Sequence, residues 1–171
     1  MALSSAETFT TTDCRCVTLR RAVQGDYHAV ATLLRDLELP PDGISEWLEH
    51  FWIGEHQSHV VGVAGMERYG DSGLLRSVAV AQDWRSTGLG RALVERVVEE
   101  GRVAGVKDVY FLTTTAEHYF PRLGFVCIDR GNVPAALHAS AEFTGACPAS
   151  AVVMCRAATA TPAAERGEVP S

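Results

Sequence analysis

The segment Arg85-Ser86-Thr87-Gly88-Leu89-Gly90 constrains this chain more than any other. It follows the apolar run Leu74 to Val80 and opens a helical pattern. From Leu89, apolar side chains recur at Leu93 and Val97 beside Val94 and Val98, while Arg91, Glu95, Arg96, Glu99 and Glu100 fill the other face. That is an amphipathic helix, which Gly101 or Gly105 can end. Val106 to Thr113 then reads as another strand, completing a β-turn-α-β unit. The first amides of such a helix lack internal partners, and its dipole favours an anion beside them. Glycines remove the Cβ that would hold a phosphate off, and Arg85 can add charge-assisted hydrogen bonds. Many α/β folds use the same junction as a plain tight turn, so on its own it leaves both readings open.

No Gly-Lys-Ser/Thr follows the glycines, so this is not a P-loop; a third glycine and a strand-ending acid are missing for a dinucleotide fingerprint. The segment does resemble the acetyl-CoA signature of the GNAT N-acetyltransferases, Arg/Gln-x-x-Gly-x-Gly/Ala. Val17 to Ala22 with Asp26 resembles that family's opening strand, Leu75 to Val80 its strand before the loop, and Tyr119-Phe120-Pro121-Arg122-Leu123-Gly124-Phe125 its second signature. The resemblance runs over residues 17–156. It implies the GNAT fold, an α/β architecture with a mixed, largely antiparallel central sheet and helices on both faces. It also implies acetyl-CoA as cosubstrate. Val78, Ala79 and Val80 would pair with the pantetheine arm, and Arg85, Ser86, Thr87, Gly88, Leu89, Gly90 and Arg91 would hold the pyrophosphate. Thr113 stands where the family often has Asn, and Arg122 is a further cation for CoA. Phe120 holds the position of the tyrosine that protonates the departing thiolate; Tyr119 is adjacent but turned about 100° away on a helix.

Leu112-Thr113-Thr114 and the pair Tyr119-Phe120 resemble the amino-acid N-acetyltransferases, including the N-acetylglutamate synthases. The stretches Val133 to Leu137, Glu142-Phe143 and Cys147 to Val152 are similar to GNAT proteins associated with arsenic resistance. The resemblance therefore implies transfer of an acetyl group to the primary amine of a small molecule, an amino acid or an amino-acid-like arsenical. The alternative is a GNAT-fold module that holds acyl-CoA without turnover, which the phenylalanine at 120 keeps open.

Three polar residues on otherwise apolar strands, with Tyr119 of the expected short helix, carry the remaining site expectations. Glu67 ends a strand whose inner residues are Val61, Val63 and Ala64, and is the candidate base, with an exposed strand-end charge as the other reading and His118 or a water chain without a dedicated base as the alternatives. Arg76 interrupts the run Leu74 to Val80, where a charge is costly unless paired. By strand alternation it shares a face with Val78 and Val80. Its fork either grips an acceptor's carboxylate or pairs internally with Glu67 or another acid. Tyr69 is the second candidate for the acceptor pocket, and Tyr119 the second for proton transfer.

At 171 residues, 47% apolar and 21% charged, the chain suits one soluble domain. Residues 16–156 form that domain, between a flexible tail at 1–15 and a disordered tail at 157–171. The net charge of −6 argues against nucleic acid as partner. No apolar run reaches a membrane span, and no secretory signal is visible, so a cytoplasmic location is expected. The five cysteines form no C-x-x-C pair and are expected to be free thiols. No metal is expected. The resemblance admits a homodimer paired through sheet edges or C-terminal segments. The elements predicted are a strand at 17–21, helices at 25–38 and 43–50, and strands at 51–55, 59–69 and 73–80. The loop and long helix follow at 82–104, then a strand at 106–113, a short helix at 116–123, a strand at 125–129, a helical turn at 134–141 and a strand at 150–156.

Overall fold

The computed structural model describes residues 6–115 and 118–159. Eight strands form one sheet: β1 (Glu7–Thr10), β2 (Cys16–Arg21), β3 (Phe51–His56), β4 (His59–Tyr69), β5 (Ser72–Val80), β6 (Asp108–Thr113), β7 (Val126–Ile128) and β8 (Val152–Ala157), in the order β1-β2-β3-β4-β5-β6-β8-β7. Every neighbouring pair is antiparallel except β5 and β6, which run parallel. The parallel pair needs a crossover, and α3 (Leu89–Val103) supplies it. Helices α1 (Tyr27–Asp36) and α2 (Ile44–Trp47) lie on the opposite face.

Two packed layers follow. On one face Leu93, Val94, Val97 and Val98 of α3 meet Val17, Trp52, Ala64, Met66 and Phe111. On the other, Val30, Ala31, Leu33 and Leu34 of α1 meet Ile53, Val63 and Ala79. Gly54 and Gly62 let α3 sit close. A Cβ on Gly62 would stand 2.9 Å from a Leu93 methyl, and one on Gly54 would stand 3.1 Å from a methyl of Leu89. The start of α3, and hence the loop before it, is thereby fixed against β3 and β4.

A bulge in β5 sets which side chains face which layer. Val63 pairs with Ala79 and Gly65 with Arg76, so Ser77 and Val78 stand opposite Ala64 alone. Ser77 takes a left-handed conformation, φ 55°. An extra residue reverses the alternation beyond it. Arg76 therefore shares its face with Ala79, which belongs to the α1 layer, while Val78 and Val80 pack on the α3 layer. The expected common face of Arg76, Val78 and Val80 is corrected on this ground.

Other expectations shift at the edges. Residues 7–10, expected within a flexible tail, form β1, whose Phe9 packs on the α3 layer. Of the tail expected from 157, Ala157 closes β8 and the amide of Ala158 donates to the Lys107 carbonyl at 2.7 Å, while residues 160–171 lie outside the described residues. Helix α1 stops at Asp36, before the prolines, because Glu38 turns left-handed at φ 58° and the Leu39 amide caps the Leu34 carbonyl at 2.8 Å. The helix expected at 43–50 splits into α2 and a 3-10 turn at Leu48–His50. Of the one expected at 116–123, residues 116–117 lie outside the described residues, and the rest is a 3-10 turn at Phe120–Leu123. Pro121 opens that turn, where its missing N–H costs nothing. The turn expected at 134–141 is a 3-10 stretch, Ala135–Ala139, followed by a wider turn, Glu142–Ala146.

Candidate functional site

The loop before α3 is built to leave amides open. Ser86 and Gly88 are both left-handed, at φ 60° and 84°, which curls the backbone around its own N–H groups. The first helical bond runs from the Ala92 amide to the Gly88 carbonyl, 3.1 Å. No side chain caps the Gly88 end, so the helix presents unsatisfied donors there. Thr87 serves the loop instead: its buried hydroxyl donates to the Trp84 carbonyl at 2.6 Å, and its own carbonyl accepts from the Thr12 amide at 3.0 Å. Leu89 is wholly buried, so only its backbone faces the site. Gly90 keeps the approach narrow, since a Cβ there would lie 3.3 Å from the Tyr119 hydroxyl.

Strand divergence opens the second half of the site. β5 pairs with β6 from Ser72 to Leu75, opposite Asp108 to Phe111, and no further. Beyond Leu75, the edge of β5 that faces β6 has no strand partner among the described residues. Backbone donors and acceptors there are free for an extended ligand. Two cavities meet at this split. One, of about 920 Å³, runs from Val78 and Val80 past the loop to Arg91 and Arg122. The other, of about 760 Å³, is walled by Ser77 to Val80, Phe111 to Thr115, Leu37 to Pro40, and Glu142 with Cys147. Val78, Val80, Arg85 and Phe120 line both.

The arginines sort by location. Arg15, Arg20, Arg21, Arg68, Arg76, Arg96, Arg102 and Arg156 each pair with a carboxylate. Arg130 donates to the carbonyls of Ala149 and Ala151. The side chains of Arg35, Arg85, Arg91 and Arg122 have no ion pair or hydrogen bond among the described residues, and all four residues line the joined cavities. Uncommitted cations beside open amides form a receptor for a polyanion.

Arg76 lies elsewhere. Its side chain is fully buried and lies beside Glu67, its diagonal neighbour across β4 and β5, at 2.6 Å, and Glu142 at 3.0 Å. It also donates to the Asp42 carbonyl at 2.6 Å and the Ser77 hydroxyl at 3.2 Å. The Tyr69 hydroxyl donates to the second Glu67 oxygen at 2.5 Å, and burial together with that contact raises the Tyr69 pKa. These contacts bear on three expectations, and for Arg76 they match the internal pairing that the sequence left open. Glu67 is buried rather than an exposed strand end, has both oxygens engaged, and lines neither cavity. Arg76 is committed to acids of its own chain, and Tyr69 to Glu67.

Tyr119 and Phe120 divide as their spacing implies. Phe120 is buried against Phe111, ring centroids 4.0 Å apart, and stands where the cavities join. Tyr119 lines the loop cavity alone, part-exposed. Burial raises the pKa of its hydroxyl, against the pull of Arg91 and Arg122. Thr113 lines the second cavity, where its hydroxyl accepts from the Thr115 amide at 3.2 Å. Sequence reasoning missed Glu142, Cys147, Ser77, Arg35 and the Leu37–Pro40 wall. They sit in short turns or at a bulge, where no periodicity announces them.

Comparison with known proteins follows the same lines. Residues 47–127 match the model of the acetyltransferase (GNAT) domain. An amino-acid acetyltransferase of Ralstonia nicotianae is 30% identical over 127 residues, 68% of this chain and 28% of that protein. One from Enterobacter is 27% identical over 125 residues, again 28% of its length. The chain thus spans a little over a quarter of these curated relatives. N-acetylglutamate synthase from Neisseria gonorrhoeae, complexed with coenzyme A and N-acetyl-glutamate, superposes with a TM-score of 0.74 at 22% identity, over 84% of this chain and 35% of that one. A Mycobacterium tuberculosis protein in complex with CoA superposes at 0.68 with 26% identity, over 81% of this chain and 98% of that one. A sheet split at its parallel join, with the matched segment running through the split, gives this chain the fold of the GNAT acetyltransferases.

Proposed function

We propose that this chain moves the acetyl group of acetyl-CoA to the primary amine of a small molecule, by direct attack in a ternary complex. The observation that carries the reading is the set of uncommitted arginines around the uncapped start of α3. The loop amides with Arg85, Arg91 and Arg122 hold the phosphates of the carrier. The free edge of β5 at Val78 to Val80 pairs with its pantetheine arm, and the thioester reaches the join of the cavities. An amide near Val78 or Ala79 steadies the oxyanion, and holding both reactants supplies most of the rate. Phe120 carries no proton, so the departing thiolate takes one from the attacking amine. Glu67 holds Arg76 in place rather than acting on the acceptor.

The acceptor class is an amino acid or an amino-acid-like arsenical. Support comes from relatives named amino-acid acetyltransferase and from the Neisseria neighbour, whose complex holds N-acetyl-glutamate. A module that holds acyl-CoA without turnover is the second reading, favoured by Phe120 in place of a proton donor. Release of thiol from acetyl-CoA with a panel of amines separates the two. For the carrier itself, Arg85→Ala, Arg91→Ala and Arg122→Ala should each weaken acetyl-CoA binding about 10- to 100-fold, the scale of one charge-assisted contact. Calorimetry with circular dichroism as a fold check measures this. Unchanged affinity in all three would remove the basis of the proposal.

A further inference from the structure

Arg76 joins two buried carboxylates, Glu67 and Glu142, to one guanidinium. With both acids ionised the group carries an excess negative charge inside the protein, which is costly unless something neutralises it. Glu67 cannot offer that charge to a ligand, since it lines neither cavity. Glu142 can: its side chain is only 8% exposed, yet it forms part of the wall of the 760 Å³ cavity. The other charged residues of that wall, Arg35, Glu38 and Arg85, are exposed. Glu142 is held from several sides. Arg76 contacts one of its oxygens at 3.0 Å, the Cys147 thiol donates to the other at 2.7 Å, and its own amide donates to the Ser140 hydroxyl at 3.1 Å. Arg130, over the Phe143 ring, adds with Arg76 a smaller positive influence on Cys147.

We propose that Glu142 receives the ammonium group of the acceptor and takes its proton, an assignment that rests on the acetyl-transfer reading above. Proton uptake brings the buried group to neutrality, so the transfer relieves the excess charge. The freed amine forms a C–N bond at the thioester carbonyl and the C–S bond breaks. The thiolate leaves with the second proton of the attacking nitrogen, and Glu142 returns the first to solvent. Amide, CoA thiol and one released proton balance the ammonium and thioester consumed. Cys147 stays a neutral donor throughout, because burial and the neighbouring Glu142 push its thiol up to about 12.

Glu142→Gln tests this with little change of shape, since its amide oxygen still accepts from Arg76 while its amide nitrogen faces the Cys147 sulfur. The variant should melt with the wild type and bind acetyl-CoA with wild-type affinity by calorimetry. Thiol release with a panel of L-amino acids should fall about 10²- to 10⁴-fold in kcat/KM at pH 7, the usual range for a proton-transfer group. The loss should shrink as pH rises toward the pKa of the acceptor amine, where free amine no longer needs a base. Glu142→Asp should keep part of the activity. Wild-type turnover by Glu142→Gln at pH 7, or a loss equal at every pH, overturns the assignment. Failure of the wild type to bind acetyl-CoA or release thiol overturns the transfer reading, and this assignment with it.

Discussion

A guanidinium in the middle of an apolar strand demands partners, and Arg76 finds two acids, a carbonyl and a hydroxyl. Replacing it by Met keeps the volume but strands Glu67 and Glu142 against each other. Losing one partner of a buried ionic group costs about 3–5 kcal/mol, so Arg76→Met should lose stability on that scale in urea unfolding. The sign with pH follows. The stranded carboxylates bind protons more tightly folded than unfolded, so the deficit should shrink as pH falls from 7 toward the unfolded value near 4.3 for Glu. A deficit that grows on acidification would show that the acids are not bound to Arg76. Sequence reasoning reached the dilemma of Arg76 but not its resolution. Pairing with Glu67 is one of the two outcomes the strand pattern allows; the bulge at Ser77 and the arrival of Glu142 from a distant turn leave no periodic trace.

At the scale of elements, β1 braces the anion loop from outside. The ring of Phe9 lies 3.7 Å from where a Cβ on Gly88 would stand, the Thr12 amide holds the Thr87 carbonyl, and Arg15 stacks on Trp84 at 3.7 Å while donating to the Asp83 carbonyl. Phe9→Ala should therefore lower acetyl-CoA affinity several-fold by loosening residues 85–88. Its cost in stability should stay near about 1–2 kcal/mol, below the 3–5 typical of a fully buried phenylalanine. Calorimetry paired with thermal melting checks the two effects; a stability loss with unchanged affinity would detach β1 from the site. This strand was hidden in a Ser/Thr-rich stretch that reads as tail. By contrast, β3, β4, β5 and α3 were legible almost to the residue, because period-2 and period-3.6 patterns run long enough there to speak. The short turns at 120–123, 135–139 and 142–146 are fixed by tertiary packing, and local sequence carries little of that. The anion loop was legible as chemistry; the walls of the acceptor cavity, assembled from turns far apart in the chain, were not.

Over the whole molecule, acidic and hydroxyl protons are guarded unevenly, and this fixes how the fold responds to alkali. Burial pushes Tyr110 up to about 12, with Cys155 opposite it on β8 adding to the shift, and Cys147 likewise to about 12. Cys155, Tyr69 and Tyr119 are raised too, in each case mainly by burial. Unfolded thiols and phenols ionise from ordinary values of 9.0 and 10.0. From about pH 9 to 12 the unfolded chain thus binds fewer protons than the native one, and stability must fall as pH rises through that window. The chain already carries −6 at pH 7, so each ionisation also adds repulsion within the compact state. The urea midpoint should therefore be insensitive to these groups below pH 8.5 and decline steadily above 9. Tyr110→Phe, which removes one guarded proton without removing the ring, should flatten the decline. A midpoint that holds constant to pH 11 would mean that these side chains ionise freely in the native state, and that the layer formed by β6 and β8 is more open to water than their burial implies.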